Sequence, residues 1–139
     1  MLVDWLSSGL HASGERWAFD EYHAQLRVRM RGRPIVHDST ALRALDGPLA
    51  PRMGRFDVLG TVLLLGAPVR EGALAIVERL AGVTVLRRPD LLVTAVPVAE
   101  SGCLLRFAST SMELAARMVR EQLRFVIDRL GDDPWARKW

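Results

Sequence analysis

Between Tyr22 and Arg31 the side chains alternate without a break. Tyr22, Ala24, Leu26, Val28 and Met30 are apolar, whereas His23, Gln25, Arg27, Arg29 and Arg31 are polar or charged. A period of two held this long is the mark of a half-buried strand and is incompatible with a helical stripe. Whatever the chain folds into must therefore contain a sheet with one face covered. Just upstream, in residues 15–19, the odd positions Trp17 and Phe19 are the large apolar ones. One extra residue flips the faces of a strand, so the change of parity near Asp20 and Glu21 predicts a bulge or a turn there. Arg31-Gly32-Arg33-Pro34 then reads as a hairpin turn into a strand over 35–37.

The remaining chain alternates strand and helix signals. The opening residues read as strand, and Leu45-Asp46-Gly47-Pro48 reads as a turn. Residues 56–65 (FDVLGTVLLL) are mostly apolar, which predicts a strand buried on both faces and closed by Gly66 and Pro68. Residues 72–80 carry Ala73, Leu74, Ile76, Val77 and Leu80 at helical spacing, ending at Gly82. Residues 83–86 and 91–98 read as short strands, and Glu100-Ser101-Gly102 turns the second into a strand over 103–108. Thr110-Ser111-Met112-Glu113 fits a capping box, in which Thr110 and Glu113 each satisfy an orphaned backbone N–H. The following stripe of Ala115, Met118, Val119, Leu123, Val126, Ile127 and Leu130 predicts a helix that Gly131 stops. Strands, helix, strands, helix make an α+β chain, rich in antiparallel sheet and carrying two helices.

Composition narrows the function classes. With 139 residues, half of them apolar and a quarter charged, the chain is neither disordered nor of low complexity. A single cysteine, Cys103, rules out a disulfide framework. No apolar run approaches the ~18 residues of a membrane span. The first residues lack a basic region followed by an apolar core, so no signal peptide is expected and the cytoplasm is the simplest location. Of nineteen basic residues, eighteen are arginine and only Lys138 is lysine, yet the net charge is only +3. Coding bias explains that preference more simply than nucleic-acid binding. The arginines are dispersed, and few aromatics are available for stacking on bases.

Few residues invite chemistry. His11, His23, His37 and Cys103 fall in no metal-binding spacing and read as solvated or structural. Ser109 and Ser111 suit helix-start chemistry better than nucleophilic attack, and Asp132-Asp133 suits a solvated helix exit. No P-loop, GxSxG or GxGxxG occurs, so an enzyme is not expected. Gly14-Glu15-Arg16-Trp17 is the exception, a carboxylate beside a glycine at the entry to a strand. Glu15 reads either as half of a surface ion pair or as a carboxylate facing a polar channel or partner.

These residues also carry a resemblance. Trp5, Gly9, Gly14, Glu15, Trp17 and Phe19 match the pattern W-x-x-x-G…G-E-x-W-x-F of the urease accessory protein family UreD, also called UreH. PLAPRMGRFDVLGTVLLLGAP resembles that family's glycine-containing segment before a buried strand. RRPDLLVTAVPVAES resembles a late strand, and the helix from Met112 to Leu130 resembles the final one. Pro134-Trp135 stands near the family's closing P-R-x-W. The resemblance covers the C-terminal half of the family and implies stacked, helicoid antiparallel sheets with two helices. It implies a urease maturation factor, working with UreF, the GTPase UreG and apo-urease. In such a factor nickel passes through a polar tunnel, with Ni²⁺ in transit and no resident cofactor. It assigns Glu15 to that path, and oxygen donors suit transit because they hold Ni²⁺ less firmly than His or thiolate. The aromatic, basic tail offers Trp135, Arg137 and Trp139 for partner binding.

The chain departs from the family at Leu10, where arginine is common, and in the spacing of PWARKW. The family's N-terminal half has no counterpart, which predicts strands that lose neighbours and expose edges. The chain is then one domain over 1–139 that pairs with a separate N-terminal half, or a truncated remnant. An arginine-rich nucleic-acid module is the alternative from a different class; neither nucleic acid nor membrane is expected as a partner of the family.

Overall fold

The computed structural model describes residues 1–9 and 13–131. The chain runs β1 (Leu2–Ser7), β2 (Glu21–Met30), β3 (Arg33–Arg43), α1 (Leu49–Met53), β4 (Val58–Leu65), α2 (Arg70–Ala81), β5 (Leu91–Val98), β6 (Gly102–Ser109) and α3 (Met112–Leu130). All strand pairs are antiparallel. One sheet has the order β1-β4-β6-β5, and β2 with β3 forms a separate two-stranded sheet. The α+β class expected from the sequence is the one observed.

Alternation within the four-stranded sheet builds two cores. Val58, Val62 and Leu64 of β4 and Cys103, Leu105 and Phe107 of β6 pack against Ala73 and Ile76 of α2 and Ala115, Val119, Leu123 and Val126 of α3. Fully burying a Val, Leu, Ile or Phe side chain is worth roughly 1.5–3 kcal/mol. On the opposite face, Leu63 and Leu104 pack with Val36 of β3 and with Leu26 and Val28 of β2. The sheet is thus sandwiched between two long helices and a hairpin, and β4 is apolar on both faces because both are covered.

Two close approaches set the spacing of these layers. A Cβ on Gly60 would lie 2.1 Å from the Phe107 ring, and one on Gly72 would lie 2.2 Å from the Phe125 ring. Glycine at 60 therefore lets Phe107 lie across the central strand, and glycine at 72 lets α2 and α3 approach. The helices are further tied by Arg129 to Glu71 at 2.6 Å.

Several expectations are corrected. Residues 15–19 form a loop, because Trp17 has φ +57°, which an extended strand cannot contain. The parity change near Asp20 is the end of that loop; the register shift itself falls between Val28 and Arg29. The hairpin turn is Arg31-Gly32 with φ +50° and +78°, the positive pair that matches the twist of a two-residue connection. The strand expected over 35–37 runs on to Arg43. Residues 83–86 are no strand: among the described residues they have no ladder partner, and Val85 and Leu86 are about 70% exposed. Their strand-like composition lacks the half-buried surface that gives it meaning. The helix cap is Ser111, whose Oγ accepts from the Leu114 N–H at 3.1 Å, rather than Thr110. Ser109, fully buried, donates to the Ser111 carbonyl at 2.9 Å. Gly131 ends the helix in the left-handed region, as expected.

Two predictions follow from these placements. Ser111→Ala lowers stability by about 1 kcal/mol, and Thr110→Ala lowers it by clearly less, as read by urea denaturation. Burial pushes the Cys103 thiol up from 9.0 to about 11. The unfolded thiol ionises first, so this contribution is complete below pH 9 and disappears as pH rises towards 11. Denaturation midpoints therefore fall over that window, and Cys103→Ala makes the fall shallower.

Candidate functional site

A cleft of about 780 Å³ opens between the hairpin and the four-stranded sheet. Its origin lies in the strand register. Asp4 of β1 stands opposite Thr61 of β4, Thr61 opposite Arg106 of β6, and Arg106 opposite Thr94 of β5. These four form a polar row across the whole sheet on its hairpin-facing side. The row on one side is Leu6, Leu59, Ala108 and Leu92, and that on the other is Leu2, Leu63, Leu104 and Val96. The hairpin mirrors this pattern. Inward positions of β3 read Val36, Asp38, Thr40 and Leu42, apolar at the ends and polar in the middle.

The hairpin therefore adheres at its ends and stands off in the middle. One end is the cluster of Val36, Leu63 and Leu104; the other is Leu42, Trp17 and Leu49 with Leu6, Tyr22 and Leu59. Between them Arg106 bridges the layers, bonding Asp38 Oδ1 through Nη2 at 2.6 Å. Among the described residues the charged lining of the cleft is Asp4, Asp38 and Arg106. The Tyr22 hydroxyl, also in the lining, is held above its ordinary pKa by burial and then by the negative charge of Asp4.

The Gly14–Trp17 loop sits at the Trp17 end of this cleft. Trp17 is buried, its backbone N–H donates to the Ser8 carbonyl at 2.7 Å, and its indole N–H donates to the Phe56 carbonyl at 3.0 Å. Arg16 donates to the same carbonyl at 3.0 Å and forms an ion pair with Asp57. These bonds account for the positive φ at Trp17, since a strained residue persists where its surroundings over-determine it. Glu15 is thereby presented, exposed, by two anchored neighbours.

Of the residues singled out from sequence, Glu15 lies outside the cleft lining, although its loop packs on Leu6, Tyr22 and Leu59, which belong to it. Trp135, Arg137, Trp139, Pro134, Asp132, Asp133 and His11 lie outside the described residues. His23 and His37 are exposed on the hairpin, and Cys103 is a core residue. Sequence reasoning did not find Asp4, Asp38, Thr61, Thr94 or Arg106. Asp4, Thr61, Thr94 and Arg106 are each a lone polar residue in a strand's inward series, aligned only by the register, and Asp38 shares the polar middle of β3 with Thr40.

A family model described as UreD urease accessory protein matches residues 1–139. The chain belongs to the UreD family. It is 44% identical over 139 residues to the urease accessory protein UreD of Sorangium cellulosum, covering all of this chain and 44% of that protein. It is 38% identical over 136 residues to the UreD of Anaeromyxobacter sp., covering 97% of this chain and 46% of the relative. The urease accessory protein D of Arabidopsis thaliana is 35% identical over 74 residues, covering 51% of this chain and 25% of the relative. The chain thus spans less than half the length of its UreD relatives.

In this UreD-family chain the Arg16 anchor governs the loop. Arg16→Ala removes the ion pair to Asp57 and one bond to Phe56, and weakens the native state by about 1–3 kcal/mol. Hydrogen exchange at the Trp17 amide speeds up accordingly, while that of α3 core amides changes least.

Proposed function

We propose that the chain acts in urease maturation as a non-catalytic scaffold, passing nickel onward in company with UreF, the GTPase UreG and apo-urease. The observation that carries this reading is the UreD family match along the entire chain. In it, Ni²⁺ is cargo rather than a resident cofactor. Glu15, held out by Arg16 and Trp17, is a transient ligand, and the Asp4–Thr61 stretch of the cleft continues the path. Carboxylate and hydroxyl oxygens bind a borderline metal weakly enough to release it.

The arginines suit this reading better than a nucleic-acid module. Five of the eighteen, Arg16, Arg43, Arg55, Arg106 and Arg129, each face a carboxylate of the same chain, which neutralises their charge locally. No helix among the described residues is long and apolar enough to cross a membrane. Within this reading the site of action is the cytoplasm, where apo-urease is assembled. Since the chain spans less than half of its first two relatives, further polypeptide of the family is proposed to complete the assembly. The outer edges of β1 and β5, each paired on one side only among the described residues, are where it would add strands.

The test is co-expression with urease genes, UreF and UreG in a host without its own UreD. The chain co-purifies with UreF or apo-urease, and Glu15→Ala lowers urease nickel content and activity by about tenfold or more. Full activation by Glu15→Ala removes that residue from the path. Failure to co-purify under any condition removes the scaffold role.

A further inference from the structure

The hairpin of β2 and β3 ends in a run of unopposed charge. Arg27, Arg29, Arg31 and Arg33 surround its turn, and all four are exposed. Among the described residues, none of the four forms an ion pair with a carboxylate. No Asp or Glu occurs from Tyr22 to His37. The next carboxylate, Asp38, faces inward and is engaged by Arg106. Away from this turn the chain is not basic. Without the four, its nineteen basic and sixteen acidic residues become fifteen and sixteen, a net charge of −1 in place of +3. The fold does not call for this arrangement. Clustered like charge opposes the compact state. Arg31 also holds φ +50° at a turn position where Asn, Asp or Gly is the usual choice.

We propose that the hairpin tip is a docking arm for an acidic, extended segment of a protein partner. This gives the chemistry of one partner contact and rests on the reading of the chain as a scaffold. A guanidinium fork takes a carboxylate through two parallel bonds. Arg27 and Arg29 are alternate residues of β2 on its outer face, so they lie about 7 Å apart along the strand. An extended segment with Asp or Glu at every second position repeats at that same spacing. Met30, 38% exposed beside them, adds an apolar contact. Arginine and methionine are both enriched in protein interfaces, where lysine is depleted. Nucleic acid fits less well. The one aromatic residue of β2, Tyr22, packs inward at the other end of the strand, so no stacking platform accompanies these arginines. The exposed stripe of Arg117, Arg120 and Arg124 belongs to α3, across the sheet from the hairpin, and Glu113, Glu121 and Asp128 interrupt it. The two groups therefore do not form one basic track.

The experiment measures binding of a synthetic peptide alternating Glu and Thr to the 139-residue chain, with a Gln and Thr peptide as the uncharged control. The proteins compared are the parent, a variant combining Arg27→Gln, Arg29→Gln, Arg31→Gln and Arg33→Gln, and one combining Arg117→Gln, Arg120→Gln and Arg124→Gln. The parent binds the acidic peptide and not the control, and binding weakens as salt is raised. The hairpin variant loses about tenfold or more in affinity, whereas the α3 variant binds like the parent. All four hairpin positions are exposed, so the urea midpoint of that variant is unchanged or higher, which separates lost binding from lost folding. Replacing the same four by lysine keeps the charge without the fork and retains part of the affinity. Equal binding by the hairpin variant, or an equal loss in the α3 variant, overturns the docking arm. So does tighter binding of duplex DNA, single-stranded DNA or phosphatidylserine vesicles than of the peptide. The same variants are then co-expressed with UreF, UreG and urease. If the parent co-purifies with them and the hairpin variant does so equally, the docking arm is overturned and the scaffold reading stands. If the parent binds the acidic peptide but co-purifies with none of them, the scaffold reading falls and the acidic-segment site stands.

Discussion

Burial of both faces of the β4–β6 pair is the constraint to which the other elements answer. Leu64, Val62 and Leu105 must be covered on one side and Leu63 and Leu104 on the other. Two helices meet the first demand and a hairpin the second. Gly60 lets the Phe107 ring settle across β4 on the helical side. The hairpin side cannot close in the same way, because a row of polar side chains crosses the sheet beneath it. Desolvating Asp4, Thr61 and Arg106 against a flat apolar surface would leave groups unpaired, each at a cost of about 1–3 kcal/mol or more. The cleft is therefore a consequence of how the sheet is patterned, with the hairpin attached where the rows are apolar.

Features that live within one segment were legible in the sequence. The alternation from Tyr22 to Met30 described β2 correctly, and the stripe from Ala115 to Val126 with its closing Gly131 described α3. Mostly apolar residues 56–65 described the doubly buried β4. Features that depend on pairing were not. Asp4, Thr61, Arg106 and Thr94 lie in four different strands, and nothing in any one strand says that they share a row. The polar middle of β3 hid the length of that strand, because Asp38 and Thr40 face inward where apolar residues are the usual sign. Residues 83–86 misled in the opposite sense, being strand-like in composition with no ladder to join. In the loop at Trp17, a backbone bond to Ser8 and side-chain bonds to Phe56 and Asp57 override a local pattern that looks extended.

Glu15 illustrates the same division. The motif around it was visible, and so was the family resemblance it carries. Its setting was not: an exposed carboxylate whose two following residues are fastened to Phe56 and Asp57. Anchoring neighbours lower the conformational entropy lost when a ligand is grasped. They do so here without burying the carboxylate, which stays exposed.

The backbone bonds beneath that loop run further than the loop itself. Trp17 N–H bonds Ser8, Ser8 N–H bonds Asp57, and Asp57 N–H bonds Ser109, at 2.7, 2.7 and 2.8 Å. Ser109 then donates its hydroxyl to Ser111, the residue that caps α3. Four separate pieces of chain are laced in series, from the first strand's exit to the start of the last helix. No flexible side chain intervenes in this series before Ser109. The loop that presents Glu15 and the helix that roofs the core are in this sense ends of a single tie-rod.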